Sequence, residues 1–144
     1  MTTNNAARWR RMNEPVIAEF RASGGRLKSR KHQVILLTTT GHVTGEARVT
    51  PLNFTTDGDR LAVIASSGGS PTHPAWYRNL VAYPEVTIEH GSQTFRARAR
   101  TAPEPERTRL FDQQAAQMPF FNGYRRQVKA RQIPVVVFER IEDP

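Results

Sequence analysis

LLTTTGHVTGEARVTPL, residues 36–52, leaves an apolar strand through a Thr-Gly turn and enters a second strand that carries an arginine and a proline. Alternation along 47–55 puts Arg48, Thr50, Leu52 and Phe54 on one face and Val49, Pro51 and Asn53 on the other. An arginine sharing a face with apolar residues either snorkels out at the sheet edge or lines a pocket, where its planar fork can clamp a phosphate or carboxylate. Pro51 cannot donate to a ladder, so it marks an edge strand or a bulge, where a ligand can approach the backbone.

Outward from this stretch, β-branched content and period-2 alternation predict strands near 33–39, 47–56, 60–66, 86–91, 93–101 and 134–140. Asp57-Gly58-Asp59 and Gly91-Ser92 read as hairpin turns, because glycine supplies the positive φ a tight turn needs. Most neighbouring strands are therefore antiparallel. Pro74 suits a first helical turn, and Trp76, Tyr77, Leu80 and Val81 then share a face, so 74–82 reads as a helix. A second helix should cover about 103–117, with Glu104 and Glu106 near its positive end. The segment 117–130 has no readable path. The pattern is α+β, a mostly antiparallel sheet that closes toward a barrel with a few helices.

Length and composition bound the rest. At 144 residues the chain fits one core. It has no cysteine, hence no disulfide or thiolate chemistry, and it shows no N-terminal apolar segment of the signal type; a reducing cytoplasm is the expected location. Apolar runs such as 34–37 and 135–138 fall far short of the ~20 residues of a membrane span. Of the formal charge of +8, residues 1–32 carry eight Lys or Arg against two Glu, a net +6. Residues 1–32 thus read as a basic segment with a helix at about 12–22, ahead of a domain at 33–144. Trp9, Val16, Ile17 and Phe20 alternate there with Arg8, Arg10, Arg11 and Arg21. The helix could pack on the domain through Ile17 and Phe20, or lie on an anionic membrane or a phosphate-rich ligand.

Several chemistries lack their residues. His32, His42, His73 and His90 are isolated from one another, so no metal ligand set is expected. There is no nucleophile elbow, Walker loop or dinucleotide fingerprint, and no nucleic-acid reading motif, so no specific nucleic-acid partner is expected. What remains is two small polar loops, Thr38 to Gly41 and Ser66 to Ser70. Each ends a predicted strand with backbone N–H groups free to turn toward an anion.

Together these residues carry a resemblance. LLTTTGxxxGxxRxxPL, a strand ending in Ala65-Ser66, GGSPTHPAWYRNLVAYPEV at 68–86 and the closing IPVVVFE at 133–139 resemble the deazaflavin-dependent nitroreductase family. Its members have a split β-barrel of the FMN-binding type and bind coenzyme F420. The resemblance implies an F420H2-dependent oxidoreductase passing a hydride to an electron-poor small molecule such as a quinone, nitroaromatic or activated alkene. It further implies that Thr39, Thr40, Gly41, His42, Arg48, Thr50 and Pro51 meet the coenzyme, with Arg48 near its phosphate. Ala65, Ser66, Ser67 and Gly68 would lie along the deazaflavin and its linker, and Trp76 and Asn79 would close the site. Tyr124 and Ser66 are the implied proton-side residues, and Phe121 stands where relatives often have tyrosine. Relatives also often read Gly-Arg-Lys and Ser-Lys where this chain has Gly41-His42-Val43 and Ser66-Ser67; Lys28, Arg30, Lys31 or the stripe Arg96, Arg98, Arg100 would have to replace those cations. FMN in the same barrel, or F420 carriage without turnover, stay open as alternatives. A monomer and a homodimer are both compatible with the sequence.

Overall fold

Three continuous apolar runs set the layers, because a strand buried on both faces has no polar alternation to show. In the computed structural model, which describes residues 2–28, 30–129 and 131–142, with side chains from Arg8 onward, these runs become strands β1 (Val34–Thr40), β4 (Arg60–Ile64) and β7 (Val135–Arg140). With β2 (Ala47–Asn53), β3 (Thr55–Asp57), β5 (Glu85–His90) and β6 (Gln93–Thr101) they form a seven-stranded sheet in the order β2-β1-β5-β6-β7-β4-β3. Every pairing is antiparallel. The sheet curls on itself and stays open between its edge strands β2 and β3.

Ile35, Leu37, Leu61, Val63, Ala65, Val86, Ile88, Ala97, Ala99, Val136 and Phe138 fill the barrel, with Trp76 and Leu80 packed in from helix α2 (Ala75–Ala82). The opposite faces of β4 and β7, through Ala62, Ile64, Val135 and Val137, meet Leu110, Phe111 and Ala115 of α3 (Glu106–Gln117) and Phe121 of α4 (Phe120–Gln127). The outer face of β1, Val34 and Leu36, is covered by Phe20 and Leu27, with Val16, Ile17 and Val49 beside them. Phe20 belongs to α1 (Thr2–Ala22), so the basic segment is packed on the barrel. The outer face of β5 and β6 has no such cover and alternates accordingly: Arg96 and Arg98 pair with Glu85, and Arg100 pairs with Glu106 and Glu139. The arginine stripe is thus a surface ion-pair ladder.

Both hairpin turns form where expected, with Gly58 at φ +65° and Gly91 at φ +59°. Three expectations are corrected, and one gap is filled. The strand expected at 47–56 is two: the chain turns at Phe54, so that β2 pairs with β1 at one end of the sheet and β3 with β4 at the other. The first helix runs from Thr2, not from about residue 12, and passes through Pro15, which costs the bond its missing N–H would donate but does not end the helix. Val81, expected on the buried face of α2, is 61% exposed, and Asn79 is buried in its stead. The unreadable stretch after residue 117 contains α4.

Candidate functional site

Directly opposed residues of an antiparallel pair share a face, and Thr39 stands opposite Arg48, Leu37 opposite Thr50. Arg48 and Thr50 therefore face the same side as the barrel interior, at the open edge. Asn79, one turn from the end of α2, joins this edge to the following loop. Its Nδ2 donates to Thr39 Oγ1 (3.1 Å), and its Oδ1 accepts the His42 N–H (2.9 Å) and lies 2.6 Å from His42 Nδ1. The loop closes on itself through Gly41 N–H to Glu46 C=O and Gly45 N–H to Gly41 C=O, both 2.8 Å. A side chain at Gly41 would be crowded: a Cβ would lie 3.0 Å from Thr44 Oγ1 and 3.1 Å from the Glu46 carbonyl. Arg48 sits beside this loop, half-exposed, paired with the exposed Glu46 at 3.1 Å. A pair in water at that exposure holds weakly, about 0–1 kcal/mol, so a phosphate could replace the carboxylate.

The second loop follows β4. Ser66 has right-handed helical angles (φ −78°, ψ −27°) and is followed by Ser67 at φ +51°, Gly68 at φ +61° and Gly69 at φ +83°. A right-handed residue followed by a left-handed one turns successive N–H groups toward one point, a concavity suited to an anion. The amides of Gly69 and Ser70 are used within the turn, by the Ser66 and Ser67 carbonyls, whereas those of Ser66, Ser67 and Gly68 have no partner among the described residues. Gly68 is open to solvent, with nothing within 4 Å of where a Cβ would stand.

The carbonyls of this loop are gathered by a residue that sequence reasoning missed. The Arg131 guanidinium donates to the carbonyls of Ala65 (3.1 Å), Ser66 (2.8 Å) and Ser70 (3.2 Å) and to His73 Nδ1 (3.0 Å). Gln127 of α4 adds a bond to the Gly69 carbonyl at 3.3 Å. Burial, followed by the charges of Arg131 and Arg78, pushes the His73 pKa below its ordinary value, and burial alone pushes that of Arg131 down. No local signal marks Arg131: its partners lie about sixty residues away, and only the fold brings them together.

Of the residues expected from sequence, Thr39, Gly41, His42, Arg48, Thr50 and Asn79 converge on the β1–β2 end, and Ala65, Ser66, Ser67 and Gly68 on the second loop, with α2 between. Tyr124 lies on α4, next to that loop, edge-on to Phe121 at 5.7 Å and Phe120 at 5.9 Å, and its hydroxyl has no partner among the described residues. Three residues sit apart. Thr40, next to the inward-facing Thr39, points to the outer face. Pro51 stands opposite Leu36 in the register, which places its ring on the outer face, away from Arg48. Trp76 is only 8% exposed and packs as a core aromatic. A cleft of about 460 Å³ opens beside the rim on the outer face, lined by Thr38, Thr39, Thr40, Tyr83, Glu85 and Arg96 among others; its one arginine is already paired with Glu85. Among the described residues no group of three or more His, Asp or Glu could hold a metal ion.

The half-closed barrel with its polar rim is that of the split-barrel flavin and deazaflavin oxidoreductases. A solved F420-H2 dependent reductase matches it with a TM-score of 0.68 at 33% identity, covering 74% of this chain and 93% of that one. A solved chain described as a domain-swapped dimer matches with a TM-score of 0.71 at 30% identity, covering 93% and 99%. The family model of the F420H(2)-dependent quinone reductases matches residues 9–140, and the chain belongs to that family. An F420H(2)-dependent quinone reductase of Mycobacterium tuberculosis is 36% identical over 130 residues, 85% of this chain and 86% of the relative. The deazaflavin expectation thus holds at the level of the family.

Proposed function

We propose that this protein is an F420H2-dependent reductase of quinones and similar electron-poor acceptors. The observation that carries the reading is the trio of amides at Ser66–Gly68, without a partner among the described residues, in a chain that the family model covers from residue 9 to 140. When bound, reduced F420 supplies a hydride to the acceptor; the organic chemistry is the coenzyme's own.

The residues present fit such a group. The three amides and the Arg48 guanidinium would meet its phosphate, and Gly68 leaves the approach clear of side chains. The Thr39–Asn79–His42 network fixes the rim against which the ring system would lie. Trp76, packed into the core, supports that rim from beneath. No strong base is needed for hydride acceptance, but the acceptor's oxygen needs a proton donor or hydrogen-bond partner. The Tyr124 hydroxyl, without a partner among the described residues and carried next to the second loop by α4, is that group, with Ser66 Oγ as a second donor.

The reaction is tested by incubating the purified protein with F420H2 and a soluble quinone under anaerobic conditions. Reappearance of the oxidised coenzyme's absorbance in proportion to enzyme supports the reading, and a rate equal to the enzyme-free control refutes it.

Two broader features belong to the same reading. The unpaired edges of β2 and β3 and a domain-swapped relative favour a homodimer in solution, which sedimentation would show; a species of one-chain mass at every concentration would exclude it. No helix among the described residues is long and apolar enough to cross a membrane. On α1, however, Trp9 and Met12 are 52% and 54% exposed among Arg8, Arg10 and Arg11, a pattern suited to peripheral contact of a cytoplasmic protein with an anionic surface. Co-sedimentation with anionic but not neutral vesicles is expected, and equal sedimentation with both would rule this contact out.

A further inference from the structure

The proposed function sets a coenzyme against the Ser66–Ser70 loop and raises the question of what holds that loop in shape. The loop needs holding. Ser67, with its Cβ, sits at φ +51°, a conformation disfavoured for non-glycine residues, and turning three amides outward leaves carbonyls turned inward, where each requires a donor. All five guanidinium N–H groups are spent on this: Arg131 reaches the carbonyls of residues 65, 66 and 70, the last of them twice, and the ring nitrogen of His73.

We infer that Arg131 is a positioning residue for coenzyme binding, and that its clamp on the Ser66–Ser70 loop is complete only while His73 is neutral. This rests on the reading of the loop as the phosphate site. The second half follows from hydrogen-bond roles. An arginine can only donate, so His73 Nδ1 must accept and its proton must sit on Nε2. Protonation would place an N–H on Nδ1 against the Arg131 N–H. The groups facing His73 offer an imidazolium no compensation. Arg131 comes from the segment before β7. From α2 come Arg78, whose guanidinium bonds the His73 carbonyl at 3.0 Å, and the Tyr77 ring, whose centroid is 4.9 Å from that of His73. No carboxylate is among them, which agrees with the lowered pKa. The clamp is whole above the ordinary histidine pKa, near 6.5, and is lost as pH falls through the lowered value.

The experiment has two arms. In the free protein, hydrogen exchange of the Gly69 and Ser70 amides is followed at pH 8 and at pH 5, corrected for the intrinsic pH dependence of exchange; in parallel, F420 affinity is titrated by fluorescence at both pH values. For Arg131→Lys, which keeps the charge but not the fork, both amides should lose protection and the F420 Kd should rise at least about tenfold at pH 8, equivalent to ~1.4 kcal/mol. The cooperative unfolding transition should persist. His73→Asn, whose side-chain oxygen can accept from Arg131 but does not titrate, guards against a variant that fails to fold. It should bind F420 like the natural chain at pH 8 and lose the natural chain's extra weakening at pH 5; comparison at equal pH cancels the ligand's own titrations. Unchanged protection in Arg131→Lys would overturn the clamp, and lost protection with unchanged Kd would overturn its positioning role. An acid weakening that persists in His73→Asn would overturn the histidine dependence. Absence of F420 binding by the natural chain would refute the phosphate-site reading itself, an outcome distinct from binding that is indifferent to Arg131.

Discussion

Replacing Asn79 by alanine removes the bonds that join α2 to β1 and to the loop after it. Thr39 is 2% exposed and its hydroxyl has Asn79 Nδ2 as its partner, so the variant leaves a buried hydroxyl unsatisfied, costing about 1–3 kcal/mol. The partly buried His42 N–H loses its acceptor as well, adding about 1 kcal/mol. A total near 3 kcal/mol in a domain of this size lowers Tm by roughly 10 °C. Thr39→Val in the same background removes the stranded hydroxyl, so the double variant should recover ~1 kcal/mol relative to the sum of the single effects. Denaturant unfolding of the four proteins measures this coupling, and an F420 titration of Asn79→Ala should show about a tenfold higher Kd as the rim loosens. Strict additivity, with a Tm within about 2 °C of the natural chain, would refute the proposal that Asn79 builds the rim.

The remaining predictions concern charge and protons. Glu46→Gln removes the carboxylate that occupies Arg48, so F420 should bind about two- to fivefold more tightly at low salt, an advantage that fades as ionic strength rises; weaker binding would mean that Glu46 orients Arg48 instead of competing for it. Tyr124→Phe should lower turnover by about tenfold or more while leaving coenzyme affinity nearly unchanged, and equal turnover would remove Tyr124 from the proton path. Asp57 is held below the usual carboxylate range first by its bond to Arg109 and Glu106 by its bond to Arg100. Such groups stabilise the fold above the ordinary carboxylate pKa and stop doing so as pH falls through their lowered values. Stability should therefore decline below about pH 4, and Asp57→Asn should flatten that decline in acid unfolding curves.

Much of the barrel was legible because its physics is local. Hairpin turns need glycine at positive φ, and two-faced burial erases polar alternation, so β1, β4 and β7 stand out as apolar runs. The division at Phe54 was not legible, since alternation continues across it: Leu52 and Phe54 both pack on the barrel core while the hydrogen-bonding partner changes from one end of the sheet to the other. The helix α4 escaped because FFNGYRRQ is short, with Gly123 at its centre. Val81 was misplaced because an eight-residue helix offers too few turns to fix the angle of its buried face. In the site, the small-residue loops and Arg48 declare themselves by type and alternation. Arg131 does not: an arginine ahead of an apolar strand reads as a solvated charge, and its role exists only once β4 and β7 pair, bringing residues 65–70 beside it.

The central claim is that the rim of this barrel holds a deazaflavin. Fluorescence titration of the purified protein with F420, and separately with FMN, tests it most directly. Saturable binding of F420 at micromolar concentration or below, with a Kd that rises in Arg48→Ala and is little affected by excess FMN, is the predicted result. Saturable binding of FMN with none of F420 would contradict it.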